Sequence, residues 1–561
     1  MRNSPEIVEV NSTHMEQVLR RVEQAEPLDA KDTKLIRAVF ESYVYVAGLV
    51  EDKNTSIRRL RQLLFGARTE KTDTVTGRET DQPDTTPPRG AATDTEVAAD
   101  EPHTGESDPG ASDTADREPA CPGHGRNGAD AYGGADRIDV PHPSLGAGDP
   151  CPSCAKGTIY EKAPGVVVRI IGQPPVAAKV YRLQKLRCHL CGQVFTAPAP
   201  QETGGPKYAA SAGAMIGLLK YGSGLPFNRL EGLQGYLEIP LPASTQWDIV
   251  EAVAEQLAPA FAELIRQAAQ GDVVHNDDTT VKILELMGEG RSKILAHDKD
   301  EGNEADQRTG LFTSGVVALR DGHRVALFFS GPKHAGENLA EVLKLRANQL
   351  PPPIQMCDAL SRNLPGELQT IVAHCLAHAR RNFVDVYDHF PQECRYLLET
   401  LAVIYRNDAS ARKRELSPEA RLQFHQQESR PTMQQLHDWL TRQLDEKLTE
   451  PNSALGDAIR YMLKHWEKLT LFLRQAGAPL DNNLCERALK KAILHRKNAL
   501  FYKTQNGARV GDLFMSLIYT CQLNEANPFD YLTELQRHHD QLAASPEVWM
   551  PWNYQATSRV S

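Results

Sequence analysis

Two adjacent carboxylates stand in the middle of a stretch that otherwise has the composition of a buried strand. The stretch reads VVHNDDTTVKILELM, from Val273 to Met287, and the carboxylates are Asp277 and Asp278. Val, Thr, Ile and Leu favour a β-strand, and side chains along a strand alternate between its two faces. Asp277 and Asp278 are therefore predicted to point to opposite faces. Alternation alone does not say which of them takes part in chemistry.

Two further carboxylates have a setting that suggests a shared site. Asp358 follows the apolar stretch PIQMC and precedes a turn. Glu486 lies in DNNLCERALKKAI, a predicted helix that also carries Arg487, Lys490 and Lys491. An acid within a basic helix indicates a task beyond solubility, although Glu and Lys four residues apart are also an ordinary helix pair.

Three carboxylates that converge on one point repel each other unless cations lie between them. Mg²⁺ prefers carboxylate and water oxygens. Two such ions about 3.5–4 Å apart activate a nucleophile and stabilise the leaving oxygen in phosphoryl transfer. The residue types predict a Mg²⁺ or Mn²⁺ site, whereas the spacing alone leaves the convergence open.

Four of the ten cysteines form two C-x-x-C pairs, Cys151–Cys154 and Cys188–Cys191. Each pair can supply two thiolates to one tetrahedral Zn²⁺, with a β-hairpin between the pairs bringing them together. All four ligand positions would be thiolate, so the predicted zinc is structural. The alternative is a set of structural or redox cysteines without metal.

The elements around the carboxylates are predicted to alternate between strands and helices. Three strand candidates are followed by a helix, a short strand, a second helix and a further strand, which is a mixed α/β order. Residues 384–478 are predicted to be almost wholly helical. In chain order, the sequences are DVVHNDDTTVKILELM, RTGLFTSGVVALR, HRVALFFS, the helical AGENLAEVLK, PIQMCDA, an unassigned helix and TIVAHCLAHARRNF.

Residues 204–270 are predicted to form helices on either side of YLEIPLPAST. Pro242 followed by Ser244 and Thr245 is a typical helix start. A helix-turn-helix that reads DNA is one interpretation of this segment, and an ordinary helical pair is the other.

The N-terminal third has two features that do not belong to a compact core. Residues 31–66 repeat apolar residues in heptads from Ile36, which indicates a coiled coil or an amphipathic helix packed on the protein itself. Residues 71–118 are acidic and contain no aromatic residue, which predicts a disordered linker. Residues 72–120 carry thirteen acidic and three basic side chains, so they account for the whole net charge of −10.

Composition excludes several classes of protein. No apolar run approaches the about 18 residues of a membrane span, and the first residues lack the layout of a signal peptide. The scattered remaining cysteines indicate a reducing compartment. We therefore expect a cytoplasmic protein.

The sequence resembles transposases of insertion-sequence family sixty-six over nearly the whole chain. The segments that carry the resemblance are SIRRLRQLLFGARTEK, the two C-x-x-C pairs, LLKYGSGLPFNRLEGL, HNDDTT, QMCDALSRNLP, HCLAHARRNF and DNNLCERALKKAILHRKNALFY. The last of these, followed by SLIYTCQLNEANPFDYL, is the most specific. After Asp358 this chain has Ser361, Arg362 and Asn363, where many relatives have a Gly- and Tyr-rich sequence.

The resemblance implies an RNase H-like core with a catalytic triad of Asp277, Asp358 and Glu486 that holds Mg²⁺ or Mn²⁺. It selects Asp277 over Asp278, because the family pattern is His, any residue, Asp, an acidic residue and Thr. It also implies DNA as the partner, in the form of terminal repeats and target. A homo-oligomer is expected because two element ends must be held together, and relatives often act with accessory proteins.

The resulting fold class is a multidomain α/β protein with a helical insertion in an RNase H-like core. An N-terminal coiled-coil helix, a zinc ribbon and a helical DNA-binding segment precede the core. The predicted domains are 1–70 (helical), 71–118 (linker), 119–203 (zinc module), 204–270 (DNA-binding helices), 271–383 (first part of the core), 384–478 (insertion) and 479–561 (end of the core).

Basic side chains on two predicted helices are candidates for phosphate contacts, which give affinity rather than sequence choice. The other interpretation is that they form solvated helix faces. The candidates are Arg380, Arg381, Arg487, Lys490, Lys491, Arg496 and Lys497.

Three functions remain compatible with these residues. The first is a DNA transposase that cuts and joins the ends of an insertion sequence. The second is an inactive or domesticated relative that only binds DNA. The third is a nuclease of the same fold that cuts without joining.

Overall fold

The computed structural model describes residues 139–150, 152, 158–160, 173–187, 189, 194–200, 206–288 and 310–560. The chain divides into two compact units. The described residues of one unit are 374–480, and those of the other fall within 139–373 and 481–560.

The strands are β1 (Lys185–Arg187), β2 (Val194–Thr196), β3 (Val273–Thr280), β4 (Phe312–Arg320), β5 (His323–Gly331), β6 (Ile354–Cys357) and β7 (Ile371–His374). The helices are α1 (Ala210–Gly217), α2 (Phe227–Tyr236), α3 (Ala243–Ala269), α4 (Ala335–Leu343), α5 (Leu376–Asp385), α6 (Pro391–Lys413), α7 (Pro418–Glu428), α8 (Arg430–Asp445), α9 (Ala454–Lys464), α10 (Trp466–Leu469), α11 (Asn483–Ala499), α12 (Gln505–Leu523), α13 (Pro528–Arg537), α14 (His539–Ala544) and α15 (Tyr554–Val560).

A five-stranded mixed sheet forms the centre of the larger unit. Its strand order is β5-β4-β3-β6-β7. β3 pairs antiparallel with β4 and parallel with β6, and β4 pairs antiparallel with β5. The mixed α/β architecture predicted from the sequence is thus present, and it is compatible with an RNase H-like core.

Two predicted elements differ from the structure. The strand predicted from Val273 to Met287 ends at Thr280, and Leu284–Leu286 forms a 3₁₀ turn. The helix predicted between β6 and β7 is only the 3₁₀ turn Ser361–Asn363. Pro365 follows one residue later and disfavours a helical conformation at Leu364, and Gly366 has a φ of 65°, a left-handed conformation that ends helical geometry.

Helices α3 and α12 cover the sheet of the larger unit. Helix α3 has the predicted start after Pro242, and it buries Val250, Leu257 and Leu264 completely, seven residues apart along one face. Helix α12 is buried on nearly every side and packs against β5, α3 and the π-helical turn Leu218–Gly222. The described residues of this segment, 206–270, therefore share one hydrophobic core with the sheet.

Side chains of α12 cap the outer edge of β5. Ser516 Oγ and Thr520 Oγ1 accept the N–H groups of Phe328 and Ala326 at 2.9 and 3.0 Å. Asp512 accepts the N–H of Ser330 at 2.6 Å. Four residues of helix rise by about 6 Å, close to the rise of two strand residues, so this spacing matches alternate N–H groups of the strand. The edge is thereby closed to other strands.

Helices α5 to α10 make up the unit of residues 374–480. The N–H of Leu376 donates to Leu480 O at 3.0 Å, so the two ends of this unit meet. Buried Asp408 on α6 accepts from Arg421 Nη2 on α7 at 2.6 Å and lies 3.3 Å from His425 Nε2. These contacts join neighbouring helices within an apolar core.

Several predicted regions lie outside the described residues, namely the coiled coil 31–66, the linker 71–118 and the thiol ligands Cys151, Cys154, Cys188 and Cys191. Within the described part of the chain, every helix is too short or too polar to cross a bilayer.

Candidate active site

The alternation of β3 sends its two adjacent carboxylates to opposite faces of the sheet. Asp277 lies opposite Gly315 of β4, and Asp278 lies opposite Ser314. A Cβ atom at Gly315 would lie 3.1 Å from Leu489 Cδ2 and 3.3 Å from Cys485 Sγ, so this face is the one covered by α11. Because directly opposed residues share a face, Asp277 points toward α11.

Asp278 points to the face covered by α4, where its charge has partners. His334 Nδ1, just before α4, donates to Asp278 Oδ2 at 2.9 Å. Arg362 Nη2 lies 3.4 Å from Asp278 Oδ1, and the Asp278 side chain is only 2% exposed. The opposite-face prediction is confirmed, and Asp278 has contacts of its own.

Asp358 comes beside Asp277 through the register of β3 and β6. The two strands pair in parallel, with Val273 opposite Ile354 and His275 opposite Met356. The same register extended by two residues, one beyond the end of β6, predicts Asp358 beside Asp277, in agreement with the effect of Asp358 on the pKa of Asp277.

The turn after Asp358 orients its carboxylate. Asn363 Nδ2 donates to Asp358 Oδ1, and the N–H of Leu360 donates to the same oxygen at 3.3 Å. Asn363 is fully buried, and its carbonyl accepts from Asn276 Nδ2 at 2.8 Å and Gln355 Nε2 at 2.7 Å. Asn363 thus supplies a side-chain donor to Asp358.

Glu486 lies in the first turn of helix α11, near enough to Asp277 to affect its pKa. His275 Nδ1 donates to Asn482 Oδ1 at 3.1 Å, and Asn482 Nδ2 donates to Asn276 O at 3.1 Å. These bonds attach the start of α11 to β3 beside Asp277. The missing side chain at Gly315 lets α11 lie close to the sheet.

The neighbouring carboxylates affect the pKa of Asp277. The pKa of Asp277 is raised to about 7, mainly by burial and next by the nearby Asp358 carboxylate, with Asp278 and Glu486 adding smaller effects. The N–H of Asp278 donates to Asp277 Oδ1 at 2.8 Å and opposes this rise. Asp358 and Glu486 are therefore both near enough to Asp277 to disfavour its ionised form.

The other titratable groups nearby do not compensate this charge. Burial lowers the pKa of His275 to about 4, which leaves its ring neutral near pH 7. Burial, together with Asp277 and Glu486, raises the pKa of the Cys485 thiol well above its usual range, and the thiol donates to Gly315 O at 3.3 Å. The carboxylates of Asp277 and Asp358 offer oxygen ligands, the type of donor that Mg²⁺ and Mn²⁺ favour.

The predicted basic residues have different settings. On α11, Arg487, Lys490 and Lys497 are exposed, and Lys491 is half-buried with its Nζ 5.9 Å from the centre of the Tyr519 ring. Arg496 donates from Nη1 to Thr280 Oγ1 at 2.7 Å and so attaches α11 to the end of β3. On α5, Arg380 is buried and Arg381 is exposed.

The sequence did not predict a role in positioning the site for three residues, namely Gly315, Asn363 and Asn482. An isolated glycine inside a strand often marks a close approach of another element, so Gly315 could have indicated the contact with α11 from the sequence. Asn482 precedes a predicted helix, where Asn is a frequent cap, but its bond to His275 depends on the tertiary fold. Asn363 lies in the segment that departs from the family pattern, but its hydrogen bond to Asp358 depends on the conformation of the turn.

The sequence profile described as Transposase IS66 family matches residues 207–510, which is more than half of the chain. The chain belongs to the IS66 family of transposases. Asp277, Asp358 and Glu486 all fall within the matched region, and the four cysteines precede it. The resemblance inferred from the sequence motifs is confirmed.

Similar proteins occur in Sinorhizobium fredii. Uncharacterized protein y4hP is 26% identical over 426 residues, which cover 72% of this chain and 74% of y4hP. Uncharacterized protein y4jD is 28% identical over 397 residues, which cover 68% of this chain and 74% of y4jD. The regions aligned with these relatives are thus much longer than the segments that contain the three carboxylates.

Proposed function

We propose that this protein is a DNA transposase that cuts the ends of an insertion sequence and joins them to target DNA. The observation that carries the proposal is the proximity of Asp358 and Glu486 to Asp277. Burial is the main cause that raises the pKa of Asp277 to about 7, and the two neighbouring carboxylates add to the rise. Membership of a transposase family gives the cluster a reaction class, namely phosphoryl transfer on DNA. The core around the carboxylates is proposed to be RNase H-like.

The proposed role of the three carboxylates is to hold divalent metal ions, either Mg²⁺ or Mn²⁺. Metal ions held in this way supply Lewis-acid activation of a water or 3′-hydroxyl and stabilise charge on the phosphate. Asn363 orients Asp358, and the contact between His275 and Asn482 fixes the helix that bears Glu486. None of the carboxylates needs to form a covalent bond to DNA.

Basic residues of α11 and α5 are proposed to contact DNA phosphates. On α11 these are Arg487, Lys490, Lys491, Arg496 and Lys497, which lie on the helix that carries Glu486. Arg380 and Arg381 lie on α5. Self-association, accessory proteins of the same element and DNA binding by residues 204–270 belong to the same proposal.

A strand-transfer assay with Mg²⁺ tests the function. The substrate is DNA from the flanks of the encoding element, and the products are separated by size and sequenced at their junctions. We expect joined strands that depend on a divalent cation. Cleaved ends without joined strands would identify a nuclease, and binding without either product would identify an inactive DNA-binding relative.

The two cysteine pairs are proposed to bind one structural Zn²⁺. The strands β1 and β2, which pair antiparallel, flank Cys188 and Cys191 in the sequence. Pro150 and Thr158, which also pair antiparallel, flank Cys151 and Cys154. Each C-x-x-C pair thus lies between two segments that meet, as zinc knuckles require.

Cys188→Ser is expected to release zinc and to unfold residues 119–203, because the binding free energy of a structural zinc is largely folding free energy. Metal analysis of the purified protein measures the zinc content, and limited proteolysis measures the folding of this region. Cys521→Ser is the control, since Cys521 is buried in α12. A zinc-free protein that resists proteolysis in this region would contradict the assignment.

A further inference from the structure

Helix α11 ends in a backbone conformation that is unusual for leucine. Leu500 has a φ of 70° and a ψ of −44°. The N–H of Phe501 donates to Ala499 O at 2.8 Å, across Leu500. This is a γ-turn of the rare, strained kind, and glycine would adopt it at lower cost. Strain of this sort persists only where the surrounding structure imposes it, and it clusters at functional sites.

The chain after this turn is fixed to the continuation of β3. Ile283 and Tyr502 form a parallel bridge, with the N–H of Tyr502 donating to Lys282 O at 2.8 Å. The N–H of Leu284 donates to Tyr502 O at 2.9 Å. Ile283 and Tyr502 are buried, so strand alternation turns their neighbours outward.

The outward neighbours form a surface of alternating apolar and basic side chains, here named the 501 patch. Leu284, Leu500 and Phe501 are 42%, 63% and 43% exposed, and Lys282 and Lys503 are exposed beside them. The register of the bridge puts Lys282 next to Phe501 and Leu284 next to Lys503. The 501 patch consists of Lys282, Leu284, Leu500, Phe501 and Lys503.

The acidic residue nearest to the patch in sequence, Glu285, is hydrogen-bonded to the backbone of the neighbouring helix. Glu285 Oε2 accepts the N–H of Gln505 at 2.7 Å, at the start of α12. The patch thus combines an exposed aromatic ring with lysines, which suits a partner that is both anionic and flat. Nucleic acid has this chemistry, with phosphates for the lysines and a base for the ring.

The location of the patch connects it with the carboxylates. Lys282 follows Asp277 by five residues, about 16 Å along an extended chain. Arg496 of α11 donates to Thr280 Oγ1, between the two places. The 501 patch therefore lies where the chain continues from the strand that bears Asp277 and from the helix that bears Glu486.

We propose that the 501 patch binds an unstacked base of the DNA strand near the carboxylates, with Phe501 as the stacking surface. Lys282 and Lys503 contact the phosphates on either side of this base, and the strained turn at Leu500 holds the ring outward. This inference rests on the proposed function, because it assumes that DNA lies across β3 and α11.

The test compares binding of two DNA probes to the full-length chain carrying Asp277→Asn, so that cleavage does not interfere. One probe is a short duplex with a single unpaired 5-iodouracil, and the other is the same duplex fully paired. Stacking on an aromatic side chain contributes about tenfold in affinity per base. We expect the chain to bind the unpaired probe about tenfold more tightly, and we expect ultraviolet light to cross-link the iodouracil to Phe501.

Phe501→Ala is expected to remove the preference and the cross-link, and Phe501→Trp is expected to retain the preference. Leu448→Ala is the matched control, because Leu448 is 63% exposed in the unit of residues 374–480. Circular dichroism checks that each variant is folded. An unchanged preference in Phe501→Ala, or equal binding of both probes by the parent chain, would overturn the inference.

The outcome is separable from that of the proposed function. Loss of probe preference in Phe501→Ala concerns only the patch, whereas metal-dependent joining by the wild-type chain is measured in a different assay. A wild-type chain that joins DNA but ignores the unpaired base would leave the transposase proposal intact and remove the 501 patch. A chain with the preference but no cleavage would remove the transposase proposal instead.

Discussion

Asp277→Asn is expected to lower metal-dependent cleavage and joining by about 10³-fold or more, because several kcal/mol of transition-state stabilisation depend on the bound metal. The amide keeps the shape of the side chain and can still accept the N–H of Asp278. It loses the charge that attracts a cation. DNA binding, measured by a mobility shift without metal, is expected to remain nearly unchanged.

Asp278→Asn is the matched control, because it removes one charge from the neighbouring residue on the opposite face of the same strand. Its carboxylate contacts His334 and Arg362 and does not face α11. We expect a loss of about tenfold or less, arising from a small displacement of the strand, since the amide keeps the shape of the side chain and its oxygen can still accept a hydrogen bond. If Asp278→Asn were the inactive variant and Asp277→Asn the active one, the assignment of faces would be wrong.

The pair of adjacent carboxylates illustrates how far the sequence can predict this site. Strand alternation predicts that the two side chains part, and they do. It does not predict which face is covered by the helix that bears Glu486, because that depends on packing between residues about 200 positions apart. The family resemblance selected Asp277, and the contact of Gly315 with α11 now gives this choice a physical reason.

Local signals failed where tertiary contacts or single residues decide the backbone. The apolar sequence after Thr280 predicted a longer strand, but Ile283 pairs with Tyr502, which is more than 200 residues away. The helix predicted after β6 is replaced by a turn whose residue Asn363 bonds with Asn276, Gln355 and Asp358. Such bonds outweigh intrinsic propensity and cannot be read from one stretch of sequence.

The raised pKa of Asp277 leads to a second large expected effect, on stability. The pKa is about 7 in the folded chain against 3.8 for an ordinary Asp. The folded state therefore binds the proton more tightly, so its stability falls as pH rises from about 4 to about 7 and stays lower above that. Asp277→Asn removes this penalty. The difference between the two pKa values corresponds to roughly 2–4 kcal/mol in the free energy of unfolding.

Urea unfolding at about pH 5 and about pH 8 measures the effect as a difference between variant and wild type. We expect Asp277→Asn to be more stable than wild type, with the larger gain at the higher pH. Asp512→Asn is the control for burial alone. Burial also raises the pKa of Asp512 to about 7, but the hydrogen-bond partner of this carboxylate is Ser330 and not another carboxylate.

Mg²⁺ distinguishes a metal site from a merely buried acid. A ligand that binds only the folded state stabilises it by about 2.7 kcal/mol at a hundred times its dissociation constant. Added Mg²⁺ is therefore expected to stabilise wild type at about pH 8 and to have little effect on Asp277→Asn, while Asp512→Asn responds as wild type does. Equal Mg²⁺ responses in wild type and Asp277→Asn would mean that the three carboxylates do not bind the ion, even though they converge. In that case their repulsion would be a cost of the fold without a function in metal binding.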